Sequence, residues 1–337
     1  MSSYTSSSEI ADVTEWGRWL GVFLGALALG AALIFALVLA IDPYDSGRVG
    51  ILGIRGVDDA SPRTANASRA SDPQFDSAVI GNSTGQLLKP SELSGLTGKR
   101  FVQLTVPGTG PPEQLAIIDF FMRQHRQVGA MVVVTDASWC QRDPGLPMQH
   151  PFPFWLYGDS TLDYVGRLFS TRALRLGLRR VMVGLGLRPR STPDGYWDYE
   201  KEGPAELAPV IASHDDGGPA PPQVSENFPA VALLAGVIGK LAPDVPVVLL
   251  VPPSFASTLP RPGTLAAAEA QACNAALRKL VADRPRSNFI NYRVDNELTR
   301  DRANFMDLGH YRAAIARRME QGIADSVKFG GNAKIAF

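Results

Sequence analysis

The sequence predicts an α/β protein in which helices cover both faces of a parallel sheet. Two observations carry this. From position 75 onward, short apolar runs rich in β-branched residues recur, and longer amphipathic segments separate them. Strands that read as unbroken apolar runs are buried on both faces, and the intervening helices supply the cover. A third observation adds a membrane segment, because residues 19–41 form a run of 23 without a charge. One N-terminal transmembrane helix is therefore expected, followed by a domain of about five parallel strands.

Residues 1–18 read as a polar leader, with Glu9, Asp12 and Glu15 set against Arg18. At ~1.5 Å per residue the 19–41 helix is ~35 Å long, enough to cross a bilayer core of ~30 Å. Arg18 and Asp42 bracket it. Trp16 and Trp19 suit one membrane interface and Tyr44 the other. A cleaved signal peptide is the competing reading. Its apolar core normally runs to about 7–15 residues behind a basic segment, whereas this run is longer and its leader is acidic. A retained anchor is expected. Arg18 on one side, with Arg48 and Arg55 on the other, does not select an orientation. Residues 42–72, rich in Asp, Ser, Arg, Ala and Gly, read as a linker to a domain spanning 73–330.

Within that domain the strands are read at 75–81 (FDSAVIG), 100–106 (RFVQLTV), 130–136 (AMVVVTD), 245–251 (VPVVLLV) and 288–293 (NFINYR). Helices are expected in LAIIDFFMRQH, NFPAVALLAGVIGKLA, TLAAAEAQACNAALRKLVAD and HYRAAIARRMEQGIADSV. An insertion at about 140–225 breaks the rhythm. Insertions of this length commonly form a cap or flap near the functional edge. From Arg167 to Arg190 it carries seven arginines and no acid. That stretch suits a helix on an anionic membrane or an acidic substrate, or a cap helix with a solvated basic face. Gly177, Gly184 and Gly186 weaken any long helix there.

Formal charge is zero, with 33 basic and 33 acidic residues. A nucleic-acid partner, which calls for a basic excess, is not expected. Cys140 and Cys273 are too few for a disulfide framework or a four-ligand zinc site, and are expected to be unpaired. No metal is expected. His214, ahead of Asp215 and Asp216, is a weak candidate ligand.

Ligands of an open parallel sheet bind at the carboxyl ends of its strands, and three features fall there. Ser83 follows the first strand, Gly108 and Gly110 follow the second, and Asp307 and His310 follow the fifth. A serine hydroxyl is a weak nucleophile and needs an adjacent base. His310 can take its proton, while Asp307 holds the imidazole tautomer and stabilises the imidazolium. N–H groups of a helix starting after Ser83, and close backbone approach at Gly108, would receive a developing oxyanion. Each feature alone has a plainer explanation: Ser83 or Thr84 as an N-cap, the glycines as turn residues, Asp307 as the cap of the last helix. What favours catalysis is that all three occur, in this order, in one α/β pattern.

In that order the sequence resembles the SGNH (GDSL-like) hydrolase superfamily, over about residues 74–326 without much of the insertion. Gly81-Asn82-Ser83 matches the nucleophile block, with Asn where many members have Asp. LTVPGTGPPEQ matches the second block, whose glycine, here Gly108, supplies an oxyanion N–H. Asp307-Leu308-Gly309-His310 matches the closing Asp-x-x-His block. The third block departs. It usually carries Gly-x-Asn-Asp, whose Asn completes the oxyanion hole, but this strand ends in TDASWC with Asp136, Trp139 and Cys140. A carboxylate facing an oxyanion repels it, and losing one donor typically costs on the order of 10²–10³ in rate.

The resemblance looks closest to membrane-anchored members that transfer acyl groups to envelope polymers, of the alginate O-acetylation and teichoic-acid D-alanylation type. It implies a flavodoxin-like three-layer sandwich with a cap-like insertion and one N-terminal transmembrane helix. It implies a serine esterase or O-acyltransferase with Ser83, His310 and Asp307 as triad, and Gly108, Asn82, Asp136 and Trp139 around the oxyanion and substrate. It implies no cofactor, an acyl donor, a saccharide-type acceptor and envelope partners. The protein would be single-pass in the cell membrane, with its domain periplasmic or otherwise extracytoplasmic. Trp155, Tyr157, Tyr196 and Trp197 suit stacking on sugar rings or the core of the cap. The missing Asn motivates an alternative, a weak or inactive binding and assembly protein on the same fold. A nucleotide-binding domain is a third reading, and GNSTGQ matches its glycine-rich loop poorly.

Overall fold

Five apolar segments form the sheet: β1 (Ser77–Ile80), β2 (Phe101–Gln103), β3 (Ala130–Val134), β4 (Val247–Val251) and β5 (Asn288–Asn291). All pair in parallel, in the order β2-β1-β3-β4-β5. The computed structural model describes residues 8–59, 61–143, 150–201 and 216–332. Its helices are α1 (Ser8–Ile41), α2 (Pro62–Ala70), α3 (Pro90–Thr97), α4 (Pro111–Gln124), α5 (Phe154–Tyr157), α6 (Thr161–Leu168), α7 (Thr171–Gly184), α8 (Pro229–Ile238), α9 (Leu265–Ala282), α10 (Glu297–Arg300) and α11 (Ala313–Phe329).

Alternate residues of each strand point to opposite faces, and both faces are apolar. Ala78, Ile80, Met131, Val133, Val247 and Leu249 meet α4, α8 and α9 through Ile117, Phe121, Leu234 and Leu277. Val79, Val132, Val134, Val248 and Leu250 meet α3 and α11 through Leu93, Ile315, Met319 and Ile323. The strand order reverses between β1 and β3, so a crevice opens beyond their carboxyl ends.

Glu15–Ile41, within α1, is long and apolar enough to cross a membrane. The helix begins at Ser8, so described residues of the polar leader are helical too. Tyr44 does not mark a membrane interface: it is buried, with its ring 5.3 Å from that of Trp155.

The segment expected to be a linker, 42–72, is folded. Ala65, Asn66, Ala67 and Ala70 of α2 are fully buried, and Asn66 donates to the Thr105 carbonyl at 3.2 Å. Small residues made this stretch look solvated, but they are what allow a helix to lie flush against its neighbours. The chain leaves α1 through Asp42, whose φ of 51° is in the left-handed region that ends helices. Arg180 of α7 then reaches back into the joint. It donates to the carbonyls of Ile41, Asp42 and Ile54 and pairs with Asp45 at 2.5 Å, with the side chains of both about 5% exposed. It therefore satisfies carbonyls that a helix C-terminus leaves without partners.

The insertion divides in two. Its helices α6 and α7 pack beside the end of α1, where Val38 and Tyr44 share a core with Tyr164, Leu168 and Leu176. Its later part runs along the edge of β2, where the Gln103 N–H donates to the Asp194 carbonyl at 2.7 Å. Glu200 then accepts the Ala313 N–H at 2.6 Å and Arg312 at 3.1 Å, capping α11.

Cys140 and Cys273 form a disulfide, with Cα atoms 5.6 Å apart, which corrects the expectation of free thiols. Their separation of 133 residues conceals that the turn after β3 lies against α9. Replacing both with serine should lower unfolding stability by about 2–5 kcal/mol. Thermal melts of the variant, and of the wild type in reductant, should show the same loss.

Candidate active site

The chain turns sharply after β1 because two glycines let it lie on β3. A Cβ on Gly81 would come 2.7 Å from Val134 Cβ, and one on Gly85 would come 2.9 Å from Val134 Cγ2. Between them, Ser83–Gly85 form a single 3₁₀ turn. The helix expected directly after Ser83 is absent: α3 starts at Pro90, so no helix dipole acts on the serine. The N-cap is Asn82, not Ser83 or Thr84. Its Oδ1 accepts the Thr84 N–H at 3.0 Å and the Thr84 hydroxyl at 2.8 Å. Ser83 is thereby left with its hydroxyl uncommitted to the turn.

That hydroxyl lies 2.8 Å from His310 Nε2, and His310 Nδ1 lies 2.7 Å from Asp307 Oδ2. A carboxylate only accepts, so Nδ1 carries the proton and Nε2 is left to accept from Ser83 Oγ. Asp307 Oδ1 accepts the N–H groups of Gly309 at 2.7 Å and His310 at 2.8 Å. Burial pushes the Asp307 carboxyl upward, but these hydrogen bonds, led by the one from the His310 ring, hold it below its usual range. Neither residue begins the last helix, which starts at Ala313. They sit in a loop closed by the Met306 N–H to His310 carbonyl bond at 2.8 Å and tied to the strand-four side by Phe255 N–H to Leu308 carbonyl at 2.9 Å. The Tyr311 hydroxyl donates to the Thr84 carbonyl at 2.5 Å, locking this loop to the serine turn.

Gly108 is close by along the backbone. The Val106 N–H donates to the Gly81 carbonyl at 2.9 Å, which carries the chain after β2 beside the serine turn. Gly108 has φ of 64°, a conformation in which glycine avoids a Cβ clash. Among the described residues, neither the Ser83 N–H nor the Gly108 N–H has an acceptor.

The remaining expected site residues serve other ends. Asn82 Nδ2 donates to Asp136 Oδ2, so both ends of its amide are used in holding the turn. Asp136 Oδ1 accepts the Ser138 N–H at 2.8 Å and hydroxyl at 2.5 Å. Its carboxylate clamps the serine turn to the end of β3 and also borders the crevice. Trp139 is fully buried, its Nε1 donating to Gln114 at 3.2 Å, so it belongs to the core and not to a substrate surface. Tyr157 is core as well, and Trp155 packs on Tyr44.

Two contributors, Tyr199 and Arg293, were missed in the sequence. Tyr199 stands edge-on to His310, with centroids 5.9 Å apart, and Trp197 flanks Tyr199 at 6.3 Å. The docking of Glu200 on α11 helps to hold this segment there. Arg293 lies just beyond β5, where the strand-end rule would have found it. It donates to the Ser254 hydroxyl and the Thr258 carbonyl, both at 3.1 Å. Burial lowers its pKa, and the charge of Asp136 opposes that shift. Arg293 and Asp136 border two adjoining cavities, of about 400 Å³ next to Thr84 and Gly309 and about 760 Å³ reaching toward α9. Among the described residues, no cluster of three or more His, Cys, Asp or Glu is placed to hold a metal. His214 lies outside the described residues.

Comparisons with protein-family profiles, with curated proteins and with solved structures returned no match. What the site offers chemically therefore rests on its geometry: a serine hydroxyl, a base in contact with it, a carboxylate behind the base, and two uncommitted N–H groups.

Proposed function

We propose that this protein is a membrane-anchored serine esterase or O-acyltransferase with the flavodoxin-like three-layer sandwich of SGNH hydrolases. The observation that carries this reading is the unbroken chain from Ser83 Oγ through His310 to Asp307, at 2.8 and 2.7 Å. His310 takes the Ser83 proton as Oγ attacks an ester carbonyl. The tetrahedral oxyanion is received by the N–H groups of Ser83 and Gly108. His310 then protonates the leaving alcohol, and an acyl-serine remains. Water, or a saccharide hydroxyl deprotonated by His310, attacks that ester and frees Ser83. The acyl donor and saccharide-type acceptor are proposed from the family resemblance, as are envelope-complex partners. The adjoining cavities, the Tyr199 ring beside His310 and the Trp197 ring beside Tyr199 provide room and stacking surface for them. A disulfide persists in oxidising compartments, which supports an extracytoplasmic domain held at the cell membrane by residues 19–41.

A second reading, a weak or inactive binding and assembly protein, is favoured by Asp136. With a carboxylate in place of the usual Asn, the oxyanion has two donors instead of three. A fluorophosphonate probe applied to the full chain separates the two. Catalysis requires labelling of the wild type that is lost in Ser83→Ala; folded protein that never labels supports the binder.

A further inference from the structure

The outer surface of α6 and α7 is not used by the acyl-transfer reading. On α7, Ala173, Leu176, Gly177 and Arg180 form the buried face. At 3.6 residues per turn, Leu174, Leu178 and Val181 share one outward stripe, and Arg172, Arg175 and Arg179 share the stripe beside it. Leu178 is 62% exposed, and Phe169, at the corner between the helices, is 70% exposed. Leu185, Leu187 and Ile51 are exposed as well.

The height of this patch along α1 identifies what covers it. The Phe169 ring meets the Phe35 ring at 5.7 Å. Phe169 and Leu174 also line an apolar cavity of about 240 Å³ together with Ile34, Phe35 and Val38. Phe35 lies six residues before the end of α1, roughly 9 Å along its axis. A bilayer that takes α1 as a spanning helix covers Phe35, and so covers the corner that touches it. The corner cannot swing away, because buried Arg180 fastens α7 to the end of α1 and to Asp45.

We propose that the α6–α7 corner is an interfacial membrane element. Phe169, Leu174 and Leu178 enter the acyl region of the leaflet at the C-terminal end of α1, and Arg172, Arg175 and Arg179 lie among anionic headgroups. This rests on the reading of α1 as a transmembrane anchor and is independent of the acyl chemistry. Its consequence is that the domain lies fixed against the bilayer, at one height and tilt, and does not hang on a flexible tether.

The test uses the full chain in nanodiscs of phosphatidylcholine with a phosphatidylglycerol fraction. Both native cysteines are in the disulfide, so single introduced cysteines can carry a nitroxide. Phe169→Cys and Leu178→Cys are compared with Leu33→Cys on α1 and Val294→Cys beyond β5. Collisions with oxygen and with a water-soluble nickel complex report depth. The expected result is that labels at 169 and 178 match the one at 33, rich in oxygen and shielded from nickel, while the one at 294 is open to nickel. If 33 is shielded but 169 and 178 are as open as 294, that face lies in water and the proposal is overturned. If 33 is also open to nickel, the anchor reading itself fails and the proposal falls with it. Two separate positions on the patch guard against local disturbance by any one label.

Discussion

Alanine at His310 is expected to lower kcat on an acyl ester by roughly 10⁴–10⁶. Among the described residues the imidazole is the one base in contact with Ser83 Oγ, at 2.8 Å, and without it the hydroxyl remains a poor nucleophile. Ser83→Ala should lose a comparable amount. The double variant should lose little more than either single one, because residues that act as a unit are not additive. Asp307→Asn should cost roughly 10⁴: an amide nitrogen facing Nδ1 would favour the proton on Nε2, the wrong tautomer for a base. The fold should survive all three changes. Asn82 caps the serine turn, so removing the Ser83 hydroxyl breaks one hydrogen bond, worth about 0.5–1.5 kcal/mol. Steady-state kinetics with a chromogenic acetyl ester, beside thermal melts, provide the check. Losses below tenfold, or losses that multiply in the double variant, would sink the triad.

Arg180→Met should be strongly destabilising, by about 3–5 kcal/mol. It removes a buried guanidinium that serves three carbonyls and one carboxylate at the foot of α1. Asp45 would keep its hydrogen bonds from Gly56 N–H at 2.7 Å and Ser68 Oγ at 2.8 Å, but it would remain a buried charge without a counter-charge. Adding Asp45→Asn to Arg180→Met should therefore recover part of the loss. Denaturant unfolding of the full chain in detergent measures both variants. A cost under about 1 kcal/mol, or a double variant less stable than Arg180→Met alone, would mean that the joint is not held by this pair.

Much of the fold was legible. The five strands and their parallel pairing follow from unbroken apolar runs separated by helices, since such a run must be buried on both faces. The ends of those strands placed Ser83, Asp307 and His310 at one rim. Which hydroxyl or amide does which task was not legible. Asn82, Ser83 and Thr84 are all competent caps, and Asp136, 54 residues away, draws Asn82 into that position. Trp139 read as part of the crevice, but a buried amide on Gln114 completes its hydrogen bonding inside the core. Residues 42–72 read as a linker because they carry few large apolar residues. The burial of α2 depends on α4 and α5, which lie forty residues or more further along.

The residue pattern was sufficient for elements and their order, because backbone hydrogen bonding and the burial of one face or two impose periods that can be read within a dozen residues. Folding in three dimensions settled the disulfide between Cys140 and Cys273, the cap on Asn82, the split course of the insertion and the approach of Tyr199 to His310. Each of these rests on a contact between groups more than fifty residues apart. Which distant groups meet depends on packing many elements at once, and no local period encodes it.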